Sequence, residues 1–252
     1  MPRVRTGIVE LEYEEFGDPT SPAFLLTGLS TSLDDLPVPD LDAVFAGQLP
    51  APYTLSDMAD DAIGLLDGLT IERAHVVGIS MGGMIAQTVA VEHPERVLSL
   101  TSIMSNTGST DTRPNPETVA ALALPPPADR AAAIENIVRI FRLVGSAEMT
   151  DAELRERATA GFDRADQPAG MARQVAAIVA APDRTPRLRE LGVPTLVVHG
   201  ESDPMLDVSA GRATAAAIPG AELITVPGMG HDLPPRILGT IIEAIVRTTS
   251  RA

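Results

Sequence analysis

The stretch from residue 74 to residue 83 constrains the fold more than any other. Ala74, Val76, Val77 and Ile79 make a short apolar run with a β-branched bias, the pattern of a strand buried on both faces. It passes without a spacer into Gly78-Ile79-Ser80-Met81-Gly82, a G-x-S-x-G sequence, and then into a helical pattern over residues 82–93. A chain reversing that sharply between strand and helix tolerates no bulk beside the turn, which accounts for Gly78 and Gly82, while Gly83 lets the helix pack closely. Such a turn lifts the Ser80 hydroxyl above the carboxyl ends of parallel strands, where open α/β sheets bind their ligands.

Around this segment the pattern alternates between strand and helix. Residues 9–16 alternate apolar and acidic side chains, as a half-exposed strand does, and residues 23–27 read as a buried strand after a Gly/Pro turn. Residues 28–53 carry no clear period. Thr54 is placed to cap a helix whose apolar face is Leu55, Met58, Ala62, Leu65 and Leu66. Further strands are expected over residues 97–103, 193–199 and 222–226, with a final amphipathic helix over residues 237–246. A Pro-rich opening introduces three helical stretches near residues 128–144, 150–160 and 168–181. The expectation is an α/β fold with a mostly parallel sheet. Residues 1–106 and 184–252 would form its core, and residues 107–183 a helical insertion over one end.

Composition excludes several functions. With 44% hydrophobic and 21% charged residues the chain is too apolar for disorder, and no apolar run approaches the length of a membrane span. A formal charge of -15 argues against nucleic acid and anionic membranes as partners, and two Tyr, five Phe and no Trp make poor base-stacking platforms. Every basic residue is Arg and none is Lys, which reads as genomic composition bias. Cysteine is absent, so disulfides and thiolate metal sites are impossible. The opening residues lack the apolar stretch of a secretion signal, so a cytoplasmic location is expected.

A serine hydroxyl needs a base, and four histidines are available. His75 opens the strand before the turn and so sits at the wrong end of the sheet. His93 falls at a helix C-terminus, where capping is the ordinary role. His199 ends a strand and either lines the site or is a satisfied buried group. His231 stands in a glycine-bracketed loop, residues 227–234, just past the last strand, and is the chosen base. Asp203, also just past a strand end, is the chosen acid to orient it, with Glu201 and Asp207 as rivals. The chain order Ser80, Asp203, His231 is the one expected for this turn.

These residues bring in a family. The chain resembles the α/β-hydrolase superfamily, particularly esterases similar to the aclacinomycin methylesterase of anthracycline biosynthesis, over residues 53–61, 74–83, 93–97, 193–200 and 227–231. The resemblance implies a cofactor-free, metal-free ester hydrolase, the Met81 N–H as one oxyanion donor, and residues 107–183 as a substrate-selecting lid. The family places two parallel strands and a helix between its first hairpin and the helix that begins here near Thr54. In this chain residues 24–31 pass at once into residues 32–37, so one βα unit, about 30 residues, is missing. The sheet should be at least one strand short, with residues 23–27 beside the strand that leads to Ser80. The family's oxyanion loop goes with that unit. Loss of one of two donors costs roughly 3–4 kcal/mol of transition-state stabilisation, and Gly28 or Leu29 is left as a substitute.

The leading function is hydrolysis of small or medium apolar carboxylic esters through an acyl-enzyme. Perhydrolases or lactonases would use the same three residues. Met171, Val175, Ile178, Ile137, Ile140 and Phe141 either line the lid cavity or pack as ordinary core. The alternatives are a non-catalytic ligand-binding relative without a complete oxyanion hole, and a metal enzyme built on His199, His231 and Asp203.

Overall fold

A computed structural model of the chain describes residues 2–6, 9–16, 23–26, 37–121, 127–164 and 168–252. Strand β1 (Arg3–Thr6) pairs antiparallel with β2 (Val9–Glu12) as a separate hairpin. The pairing runs from Thr6↔Val9 to Arg3↔Glu12, so β2 is shorter than the alternation over residues 9–16 suggests. Its partner strand runs out at Arg3, and only Tyr13 N–H continues, to the carbonyl of Pro2 at 3.2 Å.

The main sheet is parallel and, among the described residues, has five strands in the order β3-β4-β5-β6-β7. These are β3 (Ala23–Leu26), β4 (Ala74–Ile79), β5 (Val97–Ile103), β6 (Thr195–Gly200) and β7 (Glu222–Val226). Strand β3 lies directly beside β4 in the register Ala23↔His75 to Leu26↔Gly78, as the shortened N-terminal half requires. The expected substitute donors Gly28 and Leu29 lie outside the described residues.

Helices cover both faces. Val76 and Val77, neighbours in β4, point to opposite sides because strand side chains alternate. Val76 joins a cluster with Leu55, Met58 and Leu66 of α2 (Leu55–Gly68) and with Met84, Ile85 and Val89 of α3 (Met81–Glu92). Val77 joins Leu196 and Val198 of β6 with Ile237 and Ile241 of α10 (Pro235–Thr249). Each such side chain, taken fully from water, contributes roughly 1.5–3 kcal/mol. Thr54 caps α2 as expected, through a capping box: its Oγ1 accepts from Asp57 N–H at 3.2 Å while Asp57 Oδ2 accepts from Thr54 N–H at 2.8 Å.

Between β5 and β6 come α4 (Pro116–Ala121), α5 (Arg130–Val144), α6 (Asp151–Arg164), α7 (Pro168–Ala180) and α8 (Thr185–Leu188). Ile134 and Val138 of α5 and Leu154 and Ala158 of α6 form their own buried cluster, joined by Ile137 and Phe141. Ala177 and Ile178 of α7 join the cluster of α2 and α3 instead. Three of the six candidate lid residues, Ile137, Phe141 and Ile178, are therefore packing residues, and Met171 is exposed. The short α1 (Leu41–Phe45) and α9 (Val208–Ala217) complete the chain.

The hairpin is anchored on α2, where Gly68 leaves room for Val4 and Gly64 for Thr6. Thr6 Oγ1 donates to Asp61 Oδ1 at 2.8 Å, while Asp61 Oδ2 is buried without a hydrogen bond. Burial pushes the Asp61 carboxyl up, against the smaller lowering effect of the Thr6 hydroxyl. The folded chain thus keeps this proton at pH values where the unfolded chain has released it. The contribution favours folding below the ordinary carboxylate value and is lost as pH rises through the folded value. Asp61→Asn is expected to remove that loss, so the change in urea-unfolding free energy from pH 4 to pH 7 should be more positive for the variant than for wild type. An unchanged difference would show that Asp61 carries no such linkage.

Candidate active site

Ser80 follows β4 and precedes α3 with φ 56° and ψ -120°. Those angles match the first central position of a type II′ turn, which glycine normally fills. The conformation is held from several sides. Ser80 N–H donates to Ile103 O at 2.9 Å, and Ser80 O accepts from the N–H groups of Gly83 and Met84. A Cβ at Gly78 would lie 2.1 Å from Gly82 O, and one at Gly83 would lie 2.6 Å from Ser105 Cβ. Both glycines are required by close approach. Met81, whose side chain is buried, is the first residue of α3, so its N–H belongs to the helix turn that has no intrahelical acceptors.

His231 reaches Ser80 from the loop after β7. Gly228 turns there with φ +71°, and Gly200 lets the loop cross the end of β6, since a Cβ on it would meet Met229 O at 2.2 Å. His231 Nε2 lies 2.8 Å from Ser80 Oγ, and its Nδ1 lies 2.7 Å from Asp203 Oδ2. An ionised carboxylate only accepts, so Nδ1 carries the proton and Nε2 is left free to accept from the hydroxyl. Asp203 is buried, and its Oδ1 accepts from the N–H groups of Met205 and Leu206 at 2.8 and 2.9 Å. The rival acids are engaged elsewhere: Glu201 Oε1 accepts from Thr225 Oγ1, and Asp207 caps α9 through Ser209 N–H.

The other histidines have separate duties. His75 Nδ1 pairs with Ser99 Oγ at 2.9 Å, and His93 Nε2 pairs with Asp60 Oδ1 at 2.9 Å. His199 is fully buried under the acid: its Nε2 donates to Leu206 O at 2.9 Å and lies 3.6 Å from Asp203 Oδ2. Burial pushes its pKa down, outweighing the raising effect of the Leu206 carbonyl and of Asp203, so this ring is neutral near pH 7. His199 and Leu206 thereby fix the loop that presents Asp203. A metal fits these residues poorly. Both His231 nitrogens are already paired, His199 Nε2 is spent on a carbonyl, and no metal-holding group of His, Asp or Glu occurs among the described residues.

One part of the site carries no sequence signal. The C-terminal end of α5 abuts the His231 loop: Val144 O accepts from His231 N–H at 2.6 Å, and Ser146 Oγ accepts from Gly230 N–H at 3.0 Å. Asp232 Oδ1 accepts from Ser146 N–H at 3.0 Å and also from its hydroxyl. Only the adjacent Gly145 hints at a close approach. Among the described residues no helix is long and apolar enough to cross a membrane.

Comparison with known proteins bears on the family. The sequence model of the α/β hydrolase fold matches residues 35–234. Rhodomycin D methylesterase DnrP of Streptomyces peucetius is 30% identical over 230 residues, covering 80% of this chain and 75% of that protein. A 2-hydroxy-6-oxononadienedioate/2-hydroxy-6-oxononatrienedioate hydrolase of Paraburkholderia xenovorans is 30% identical over 171 residues, covering 67% of this chain and 59% of its own length. The crystal structure of the enol-lactonase from Burkholderia xenovorans superposes with a TM-score of 0.73 at 20% identity, covering 99% of this chain and 100% of that one. The relatives are hydrolases, which supports hydrolase activity in general for this chain. By the sequence match and by the fold, the protein belongs to the α/β-hydrolase family.

Proposed function

We propose that the protein is a serine hydrolase that cleaves carboxylic esters through an acyl-enzyme. The observation that carries the reading is the continuous hydrogen-bonded chain Ser80–His231–Asp203, at 2.8 and 2.7 Å. In the first step Ser80 Oγ attacks the ester carbonyl carbon while its proton passes to His231 Nε2. Asp203 holds the imidazole in the required tautomer and stabilises the imidazolium. The oxyanion that forms faces the Met81 N–H and the N-terminus of α3, where the helix dipole favours negative charge. As the tetrahedral species collapses, the C–O bond to the alcohol breaks and His231 returns its proton to the leaving oxygen. Water then enters by the same route: His231 takes its proton, the acyl–Ser80 bond breaks, and the free acid departs. None of these steps calls on a metal or cofactor.

The substrate class proposed is a small to medium apolar ester; the methylesterase relative supports an ester, and the α5–α7 helices would serve as the lid. A non-catalytic reading has one observation in its favour: among the described residues between β3 and β4 there are only α1 and α2 and no further strand, so the βα unit expected to carry an oxyanion loop is not found among them. Hydrolysis of p-nitrophenyl esters of graded acyl length separates the two. The expected result is turnover that survives strong chelation and declines for long acyl chains. No turnover of any ester or lactone by folded protein would leave the binding reading standing.

A further inference from the structure

We infer that Ser146 and Asp232 are positioning residues that set the place of His231 by bolting its loop to the C-terminal end of α5. The inference rests on the hydrolase reading, because it assigns the bolt a catalytic consequence. Three consecutive residues of the loop are tied to two residues at the helix end, Val144 and Ser146. Gly230 N–H donates to Ser146 Oγ at 3.0 Å, and His231 N–H donates to Val144 O at 2.6 Å. Asp232 Oδ1 receives both the N–H and the hydroxyl of Ser146.

The Ser146 hydroxyl is the hinge pin. It accepts from the residue before His231 and donates to the residue after it, so one buried oxygen fixes both flanks of the imidazole. The two backbones also touch. A Cβ at Gly230 would come within 2.6 Å of Val144 O, and one at Gly145 within 2.6 Å of Phe141 O and 3.3 Å of an Asp232 carboxylate oxygen. Val144 O is one of the carbonyls a helix leaves unsatisfied at its C-terminus, and His231 N–H satisfies it.

The consequence is mechanical. The helical insertion cannot shift at the end of α5 without dragging His231 away from Ser80 and Asp203. Seating of α5 and readiness of the base are one event. Misplacing a reacting group by about 1 Å costs on the order of 100-fold in rate, so even partial loss of the bolt should be felt in kcat.

The test compares Ser146→Ala, Asp232→Ala, Asp232→Asn and the Ser146→Ala/Asp232→Ala double variant. Readouts are ester turnover, the rate of fluorophosphonate labelling of Ser80, and melting temperature. Expected are a kcat fall of about 10–100-fold for Ser146→Ala and Asp232→Ala with KM within threefold, and labelling slowed in step. Asp232→Asn keeps an accepting oxygen and should recover at least fivefold over Asp232→Ala. The double variant should be no worse than the poorer single one, because the pair acts as a unit. Unaltered kcat and labelling rate in folded Ser146→Ala, or single losses that multiply, overturn the inference. If Ser146→Ala does not fold, the Asp232→Ala and Asp232→Asn pair decides alone by the same criterion. Wild-type protein that takes up no fluorophosphonate overturns the hydrolase reading, a result distinct from labelling that is insensitive to Ser146.

Discussion

Ser80→Ala is expected to lower ester turnover by at least about 10⁴-fold, leaving substrate binding nearly unchanged, because it removes the hydroxyl placed against His231 Nε2. A companion variant makes the prediction sharper. Ser80 sits at φ 56° and ψ -120°, a conformation that costs a non-glycine residue about 1–3 kcal/mol. Ser80→Gly relieves that strain and forfeits roughly 0.5–1 kcal/mol of chain entropy, so a net gain of about 1 kcal/mol is expected. For a chain of this size that is about 2–4 °C in melting temperature. Ser80→Ala keeps the Cβ and should gain nothing. A glycine variant that is both inactive and more stable would mean that the elbow holds strain which only catalysis uses. Residual turnover above one per cent in Ser80→Ala would remove Ser80 as the nucleophile.

What sequence could reveal about this fold divides by distance along the chain. The N-cap at Thr54 depends on residues within one helical turn, and the turn at Ser80 is specified within five, so both were readable from residue type and spacing. Asp203 and His231 were singled out because short apolar runs mark where β6 and β7 end, and a polar residue past that point overhangs the sheet edge. The α5 bolt was not. Ser146 and Asp232 are 86 positions apart, and nothing local distinguishes Ser146 from any serine after a helix. The same blindness applies to Asp60 and Asp61: adjacent, chemically identical, one exposed and paired with His93, the other buried with Thr6. Only packing tells them apart. Helix α9 also escaped notice, since its run of alanines and small polar residues has no apolar period. Its Gly211 is spaced for the His199 ring, as a Cβ there would meet His199 Cβ at 2.6 Å.

Asp203→Asn is the second large effect, and its size follows from a proton in the wrong place. Oδ1 accepts two main-chain N–H groups, from Met205 and Leu206, and an asparagine oxygen can keep both. The amide nitrogen must then face His231 Nδ1, where the carboxylate oxygen lies 2.7 Å away in the wild type. An amide donates, so the imidazole has to accept at Nδ1 and carry its proton on Nε2. That proton points at Ser80 Oγ, and the ring can no longer take the serine proton. The expected loss is about 10⁴-fold in kcat, the size found when a triad carboxylate elsewhere is replaced by its amide. Folding should be nearly untouched, because loop and strand keep their hydrogen bonds, including the one from His199 Nε2 to Leu206 O. Kinetics alongside a melting curve separate the two effects. A kcat loss below tenfold would mean that another group sets the His231 tautomer, and since Glu201 and Asp207 are bound to Thr225 and Ser209, the orienting role assigned to Asp203 would have to be abandoned.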